Sequence, residues 1–162
     1  MIAVVMGVSG VGKTTIGTAL ARELGWRFLD ADDFHPPHNV AKMAAGQPLN
    51  DEDRQPWLAI LNGELRELEH RGESAVLACS ALKQSYREQL ARGLERLQWV
   101  HLEGDIDLIR ARLAQRRHRF MPAALLESQF AALERPHEAI VVDVSADMAD
   151  CVAAIVSRVR GS

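Results

Sequence analysis

The residues of this 162-residue chain best suited to chemistry stand near its start. Gly7-Val8-Ser9-Gly10-Val11-Gly12-Lys13-Thr14 is a G-x-x-x-x-G-K-[ST] run between an apolar stretch, Ile2-Ala3-Val4-Val5-Met6, and a helical pattern. Strand, loop and helix in that order are the setting in which this motif grips a phosphate chain. The glycines let the main chain bend tightly with no side chain in the way, so that successive N–H groups form an anion nest. Lys13 is placed to reach the β- and γ-phosphates of a nucleotide and Thr14 to offer its hydroxyl to Mg²⁺. The helix beginning near Lys13 directs its positive dipole end at the same phosphates. A glycine-rich turn with a purely structural role has no need of Lys and Thr together after its last glycine.

Phosphoryl transfer needs, besides a held nucleotide, neutralised charge and an aligned acceptor oxygen. Asp30, Asp32 and Asp33 follow a short strand-like stretch. There one carboxylate can hold Mg²⁺ through water and another can take the proton of an attacking hydroxyl; the competing reading is a solvated acidic turn. Further on, Arg110, Arg112, Arg116, Arg117 and Arg119 crowd the end of a helix. Arg112 and Arg116 are one helical turn apart, with Arg119 just beyond, so this segment can carry guanidinium groups over the transferring phosphate and the adenine ring and act as a water-excluding lid. Its bland alternative is a solvated basic helix end. For the acceptor, Arg54, Lys83 and Arg87 follow or flank strand ends, and His35 lies beside the acidic turn. Cations for a carboxylate, with acids and amides for hydroxyls, suit an anionic, polyhydroxylated small molecule. His35 and His38 make a poor metal pair, with prolines between them and no cysteine nearby.

These groups need elements to hold them. Ile16, Leu20 and Leu24 recur at four-residue steps on a helix that Gly25 ends. Arg27-Phe28-Leu29 is a short strand, and Pro36-Pro37 forbids an immediate helix after the acidic turn. A short helix is expected from about Asn39 to Ala45, then a polar loop from Gln47 to Arg54. Leu58, Leu61, Leu65 and Leu68 mark an amphipathic helix from Pro56 to just before Gly72, with Trp57 read as core. Ala75-Val76-Leu77-Ala78-Cys79 reads as a strand buried on both faces, followed by a helix carrying Tyr86, Arg87 and Leu90. Trp99 to Leu102 is a fourth strand and Ala139 to Asp143 a fifth; helices through Ile106 to Leu113, from about Pro122 to Leu133, and along Val152 to Val159 complete the alternation. Strands alternating with helices predict an α/β fold, a parallel sheet with helices on both faces joined by right-handed crossovers. The strand ends then meet along the edge where such folds keep their ligands.

Composition narrows the class. The length suits one domain, 1–162. A formal net charge of -3 argues against a general nucleic-acid or anionic-membrane binder, and no aromatic platform is interleaved with the arginines. Two cysteines without C-x-x-C spacing suggest neither zinc nor a disulfide framework and fit a reducing cytoplasm. No apolar stretch approaches the roughly 20 residues of a spanning helix, and no targeting segment is expected.

Several segments together resemble one family. The phosphate loop, Asp30-Ala31-Asp32-Asp33-Phe34-His35-Pro36, Ala41-Lys42-Met43-Ala44-Ala45-Gly46, Pro48 to Arg54 with Pro56-Trp57-Leu58, and Cys79-Ser80-Ala81-Leu82-Lys83 with Tyr86-Arg87 look like the gluconate kinases, small relatives of shikimate and adenylate kinases. The resemblance covers essentially the whole chain, and the segments after the loop are more specific than the loop. It implies a three-layer α/β/α P-loop kinase fold with a five-stranded sheet of order 2-3-1-4-5 and a small lid at about 115–135. It further implies Mg·ATP-dependent phosphorylation of D-gluconate at its 6-hydroxyl, and a homodimer. Carried over, Gly7 to Thr14, with Thr15, bind the ATP phosphates and Mg²⁺. Asp32 is the catalytic base and Asp30 the metal-side acid. His35, Arg54, Lys83, Arg87 and Arg119 face the sugar acid, and Arg112 and Arg116 the nucleotide, Arg116 also acting in transfer. One departure from the wider pattern is Cys79-Ser80, where many P-loop proteins carry a magnesium-linked aspartate; it shifts the metal role toward the acidic turn. Two alternatives remain at this point: a nucleotide-binding switch or assembly protein, disfavoured by the absence of an Asn-Lys-x-Asp segment, and a kinase of the same fold acting on shikimate or a nucleotide.

Overall fold

The computed structural model describes residues 1–115 and 123–161. Its centre is β1 (Ile2–Met6), every residue of which is buried. Alternation along this strand divides the interior in two. Ala3 and Val5 face a cluster built with α1 (Lys13–Leu24) and α7 (Met148–Arg160). Ile2, Val4 and Met6 face a second cluster built with α3 (Asp51–His70) and α4 (Gln84–Ala91). A strand apolar on both faces can lie only between two helical layers. The three-layer expectation therefore follows from five consecutive residues.

The remaining strands are β2 (Arg27–Asp30), β3 (Ala75–Ala78), β4 (Leu97–Glu103) and β5 (Ala139–Asp143). All pairings are parallel, in the order β2-β3-β1-β4-β5. This is the order that the family resemblance implied. The register sets Asp30 opposite Ala78 and Val5 opposite both Ala78 and Val100. The loops after β1, β2 and β3 consequently emerge side by side at the carboxyl edge. Among the described residues no helix is long and apolar enough to cross a membrane.

Two helices start earlier than the hydrophobic pattern predicts. Pro37 is the first residue of α2 (Pro37–Ala44) rather than a bar to it, because a helix's first N–H has no intrahelical partner and proline gives up nothing there. The polar stretch Asp51–Arg54 is the first turn of α3 and not loop. Asn50 Oδ1 accepts the Asp53 N–H at 2.8 Å and Asp53 Oδ2 accepts the Asn50 N–H at 2.9 Å, a reciprocal capping box, with three acids in the first turn favouring the dipole. Pro56 lies inside this helix and removes only the bond to the Glu52 carbonyl. Downstream, Leu58, Leu61, Leu65 and Leu68 are each at most 1% exposed, and such side chains contribute about 1.5–3 kcal/mol apiece. The segment expected as a lid contains α6 (Ala123–Ala132), which follows α5 (Ile106–Ala114); residues 116–122, with Arg116, Arg117, Arg119 and Pro122, lie outside the described residues.

Asp53 ties α2 to α3. Besides its cap, its carboxylate accepts from Lys42 Nζ at 2.5 Å and lies 3.1 Å from His38 Nε2. The Lys42 bond, then the Asn50 N–H, hold its carboxyl down at about 2. Since an unfolded aspartate titrates near ~3.9, the folded state keeps this contribution above that value and loses it as pH falls toward about 2. Urea midpoints measured from pH 6 to pH 2 are expected to drop across that window, and Asp53→Asn is expected to flatten that part of the profile. An unchanged slope in the variant would remove Asp53 from the account.

Candidate active site

The bend after β1 is made by backbone that side chains rarely tolerate. Gly10 has φ +84° and Gly12 φ +102°, and a Cβ on Gly10 would meet Leu113 at 2.8 Å. Valine side chains in the same loop, Val8 and Val11, are 3% and 1% exposed and anchor it in the core. The loop is thus pinned from below with its polar main chain upward. Gly12 forms the N-cap of α1, which no side chain caps, so the amides of the helix's first turn remain for a ligand. Lys13 Nζ donates to the carbonyls of Gly7 and Val8, both at 3.0 Å, and so lies over the loop that carries it.

A cleft of about 840 Å³ opens above this loop. Ser9, Gly10, Gly12, Lys13, Thr14 and Thr15 form its floor, and Asp30, Asp32, Arg54, Lys83 and Tyr86 line it as well. The structure therefore brings together most of the predicted site. Asp30 ends β2, and its Oδ1 accepts the Asp32 N–H at 3.0 Å while Oδ2 lies 3.4 Å from Thr14 Oγ1. Asp32 sits on the 3-10 turn Ala31–Phe34 with its side chain 86% exposed.

Arg54 and Lys83 each lie 5.5 Å from the centroid of the Tyr86 ring. Asp51 links them: its Oδ1 accepts from the Tyr86 hydroxyl and lies 3.5 Å from Lys83 Nζ and 3.9 Å from Arg54 Nη1. The Tyr86 bond draws the Asp51 carboxyl below its usual range, and Tyr86, then Asp51, raise the Lys83 ammonium above its own. Burial pushes the Tyr86 hydroxyl up, so it stays protonated. Two cations converge here around a Tyr86 hydroxyl whose one hydrogen already goes to Asp51, which leaves Arg54 and Lys83 as the donors for a carboxylate.

Three predicted ligands are placed elsewhere. Arg87 is 3% exposed and spends its guanidinium on main chain: Nη1 donates to Ala81 O at 2.7 Å and Leu82 O at 3.1 Å, and Nη2 to Glu134 O at 2.6 Å. It therefore does not face the sugar acid; it shapes the loop that presents Lys83. Ala81 in that loop has φ +45°, a left-handed conformation costing roughly 1–2 kcal/mol for a residue with a Cβ, which the Arg87 bonds help to hold. His35 is also not on the cleft wall: its side chain is 4% exposed and stacks on Trp57. Arg112 donates to Val144 O at 2.5 Å, bridging α5 to the loop after β5, and does not line the cleft. Arg116 and Arg119 lie outside the described residues.

The sequence reading passed over Tyr86, Asp51 and Gln129. Tyr86 is the chain's single tyrosine and lies one helical turn from Lys83, a signal that was available. Gln129 of α6 accepts the Ser9 N–H at 2.7 Å, a contact across 120 residues with no local signature.

Mg²⁺ accompanies ATP in this chemistry, and the donors fit it. Thr14 Oγ1 and an Asp30 oxygen are hard ligands brought together at the helix start, and Mg²⁺ is commonly held by one or two carboxylates plus phosphates and water. Among the described residues no cluster of three or more His, Cys, Asp or Glu could hold a metal unaided. Burial pushes the Cys79 thiol up to about 12, so it stays neutral and is no substitute for a carboxylate.

Comparison with known proteins identifies the family. A family model described as an AAA domain matches residues 2–140. A gluconokinase of Gluconobacter oxydans is 54% identical over 133 residues, covering 82% of this chain and 75% of that protein. The thermosensitive gluconokinase of Escherichia coli K12 is 44% identical, covering 91% and 81%. The crystal structure of a gluconokinase from Sinorhizobium meliloti 1021 superposes with a TM-score of 0.88 at 39% identity, covering 98% of this chain and 91% of that one. Shikimate kinase from Aquifex aeolicus, at 17% identity and a TM-score of 0.60, shares the fold. With a phosphate loop, an acidic pair and two cations set around one cleft, and with relatives of this identity along nearly its whole length, the chain belongs to the gluconokinase family of P-loop kinases.

Proposed function

We propose that the chain transfers the γ-phosphoryl group of ATP to the 6-hydroxyl of D-gluconate, releasing ADP and 6-phospho-D-gluconate. The observation that carries this reading is the cleft itself, which sets Lys13, Asp32 and the Arg54–Lys83–Tyr86 wall around one volume. An extended sugar acid has a carboxylate for the cations at one end and a primary hydroxyl for the acid at the other. A switch protein needs no such second wall.

In the proposed reaction the loop amides and Lys13 hold the β- and γ-phosphates; Thr14 and Asp30 are the residues that would hold Mg²⁺, which would supply charge neutralisation there. Arg54 and Lys83 hold the carboxylate. Asp32 accepts the proton of the 6-hydroxyl as its oxygen bonds to the γ-phosphorus, and the bond from that phosphorus to the bridging oxygen breaks to leave ADP. Little else is needed, since such transfer is chiefly positioning and charge stabilisation.

A coupled ADP assay with Mg·ATP and D-gluconate, run beside shikimate, is expected to show turnover with gluconate only; turnover with shikimate alone would overturn the substrate assignment. Asp32→Asn is expected to lower kcat at least about a hundredfold, the lower end of general-base help, with little change in ATP affinity. Lys13→Ala is expected to lower kcat by at least ~10² while leaving the thermal melt nearly in place, because Val8 and Val11 still anchor the loop in the core once the lysine's bonds to the Gly7 and Val8 carbonyls are lost. Lys83→Met is expected to raise KM for gluconate about 10- to 100-fold, the range for one hydrogen bond to a charged group, without altering KM for ATP. A matching rise in both KM values would move Lys83 out of the acceptor wall.

A further inference from the structure

We propose that His35 is a positioning residue for Asp32, its Nε2–H aiming the carboxylate at the acceptor hydroxyl; the inference rests on Asp32 being the base. The tautomer follows from a chain of contacts running back into α3. Asn39 is fully buried, and its Nδ2 lies 2.8 Å from the main-chain carbonyl of Asp53. That carbonyl can only accept, so the amide cannot be turned round without setting two oxygens against each other. The second hydrogen on Nδ2 is left for His35 Nδ1, 3.2 Å away. Nδ1 is therefore the unprotonated nitrogen and Nε2 carries the hydrogen. Nε2 is the atom that faces Asp32 Oδ1, at 3.8 Å.

The ring has little freedom to do anything else. It stacks on Trp57 with centroids 4.3 Å apart and planes 16° from parallel, and Trp57 is itself tied by an Nε1–H bond to Ala31 O at 2.8 Å. Ala31 begins the 3-10 turn that carries Asp32, so one tryptophan fixes both the turn and the histidine facing it. Fixing the Asn39 nitrogen between two acceptors leaves its Oδ1 buried without a partner among the described residues, a cost that packing alone does not require.

The separation of 3.8 Å exceeds a hydrogen bond, as catalytic contacts commonly do before substrate tightens them. The need is clear from Asp32 itself. Its main chain is held through the Asp30 carboxylate, but its own carboxylate projects into solvent and has rotamers to choose from. A base must lie within about 2.6–3.2 Å of the hydroxyl it relieves. A neutral imidazole orients the carboxylate without adding a positive charge that would weaken it as a base. The charged groups acting on His35 are Asp32 and Arg54, and burial, with Arg54 acting in the same direction, outweighs Asp32 in keeping the ring neutral.

The test uses the full chain and steady-state kinetics with gluconate and Mg·ATP. His35→Phe keeps a ring against Trp57 and removes the donor; His35→Gln returns an amide N–H at about the reach of Nε2. His35→Phe is expected to lower kcat about 10- to 100-fold with KM for ATP unchanged, and His35→Gln to recover most of the loss. Combined with Asp32→Asn, His35→Phe is expected to cost nothing further, since its effect passes through that carboxylate. Should the phenylalanine variant melt early, His35→Leu against His35→Gln reads the same difference, donor absent against donor present. Equal kcat in the donor-lacking and donor-bearing variants, or an undiminished His35→Phe effect in the Asp32→Asn background, overturns the proposal while leaving Asp32 as base. An Asp32→Asn enzyme with full activity overturns both.

Discussion

The interaction on which this molecule depends is the grip of the core on the phosphate loop. A loop that must turn its main chain toward a polyanion cannot hold itself by its own hydrogen bonds. Here Val8 and Val11 are driven into the interior between α1 and α5, and the glycines between them take the curvature. The Leu113 side chain lies where a Cβ on Gly10 would go, so the loop is closed from beneath as well as bent. Hydrophobic burial thus fixes a polar surface, and the amides and Lys13 are oriented at no entropic cost when phosphate arrives.

The acceptor side is organised differently, by helix termini and not by the sheet. Because Asn50 and Asp53 start α3 at Asp51, that residue and Arg54 lie one turn apart on a helix and meet Tyr86 from α4. Had the helix begun at Pro56, both would ride on a loop. Arg87 performs the same service from the other helix, stapling the carbonyls of Ala81 and Leu82 so that Lys83 projects across the cleft. Its third bond, to Glu134 O, joins the end of α6 to this loop. α6 also reaches the phosphate loop through Gln129 and Ser9, so the floor of the cleft and the loop that carries Lys83 are tied to one helix.

Much of this was legible in the sequence, for identifiable reasons. The apolar run of β1 and the Gly-Lys-Thr turn after it are local signals, and the strand–helix alternation needs only periodicity. Strand order was not legible from pattern; it came with the family resemblance, because nothing in residues 75–78 says which neighbour β3 will choose. The misplaced helix starts have separate causes: Pro37 reads as a breaker although proline costs nothing at a first helical position, and the polar run to Arg54 reads as loop although Asn50 and Asp53 form a capping box. His35 and Arg87 illustrate a harder limit. Both lie in segments that the family resemblance singles out, and both touch the site's machinery, yet each acts one layer back. Residue type cannot separate a cation that binds substrate from one that satisfies carbonyls, since only burial decides.

The replacement of the usual strand-end carboxylate by Cys79 helps explain how the acids divide their work. A thiol held neutral at this point contributes no charge beneath the phosphates, so the negative groups of the cleft floor come from the end of β2 alone. Asp30 and Asp32 differ in what they already hold. One Asp30 oxygen caps the 3-10 turn and the other lies beside the Thr14 hydroxyl, which points it at the phosphate side of the cleft. Asp32, freed of capping duty, projects from the next turn and lines the cleft. Two carboxylates with the same intrinsic chemistry are thereby separated by their hydrogen bonds, one engaged and one available. A metal-side acid and a base are the two roles that such a separation supports.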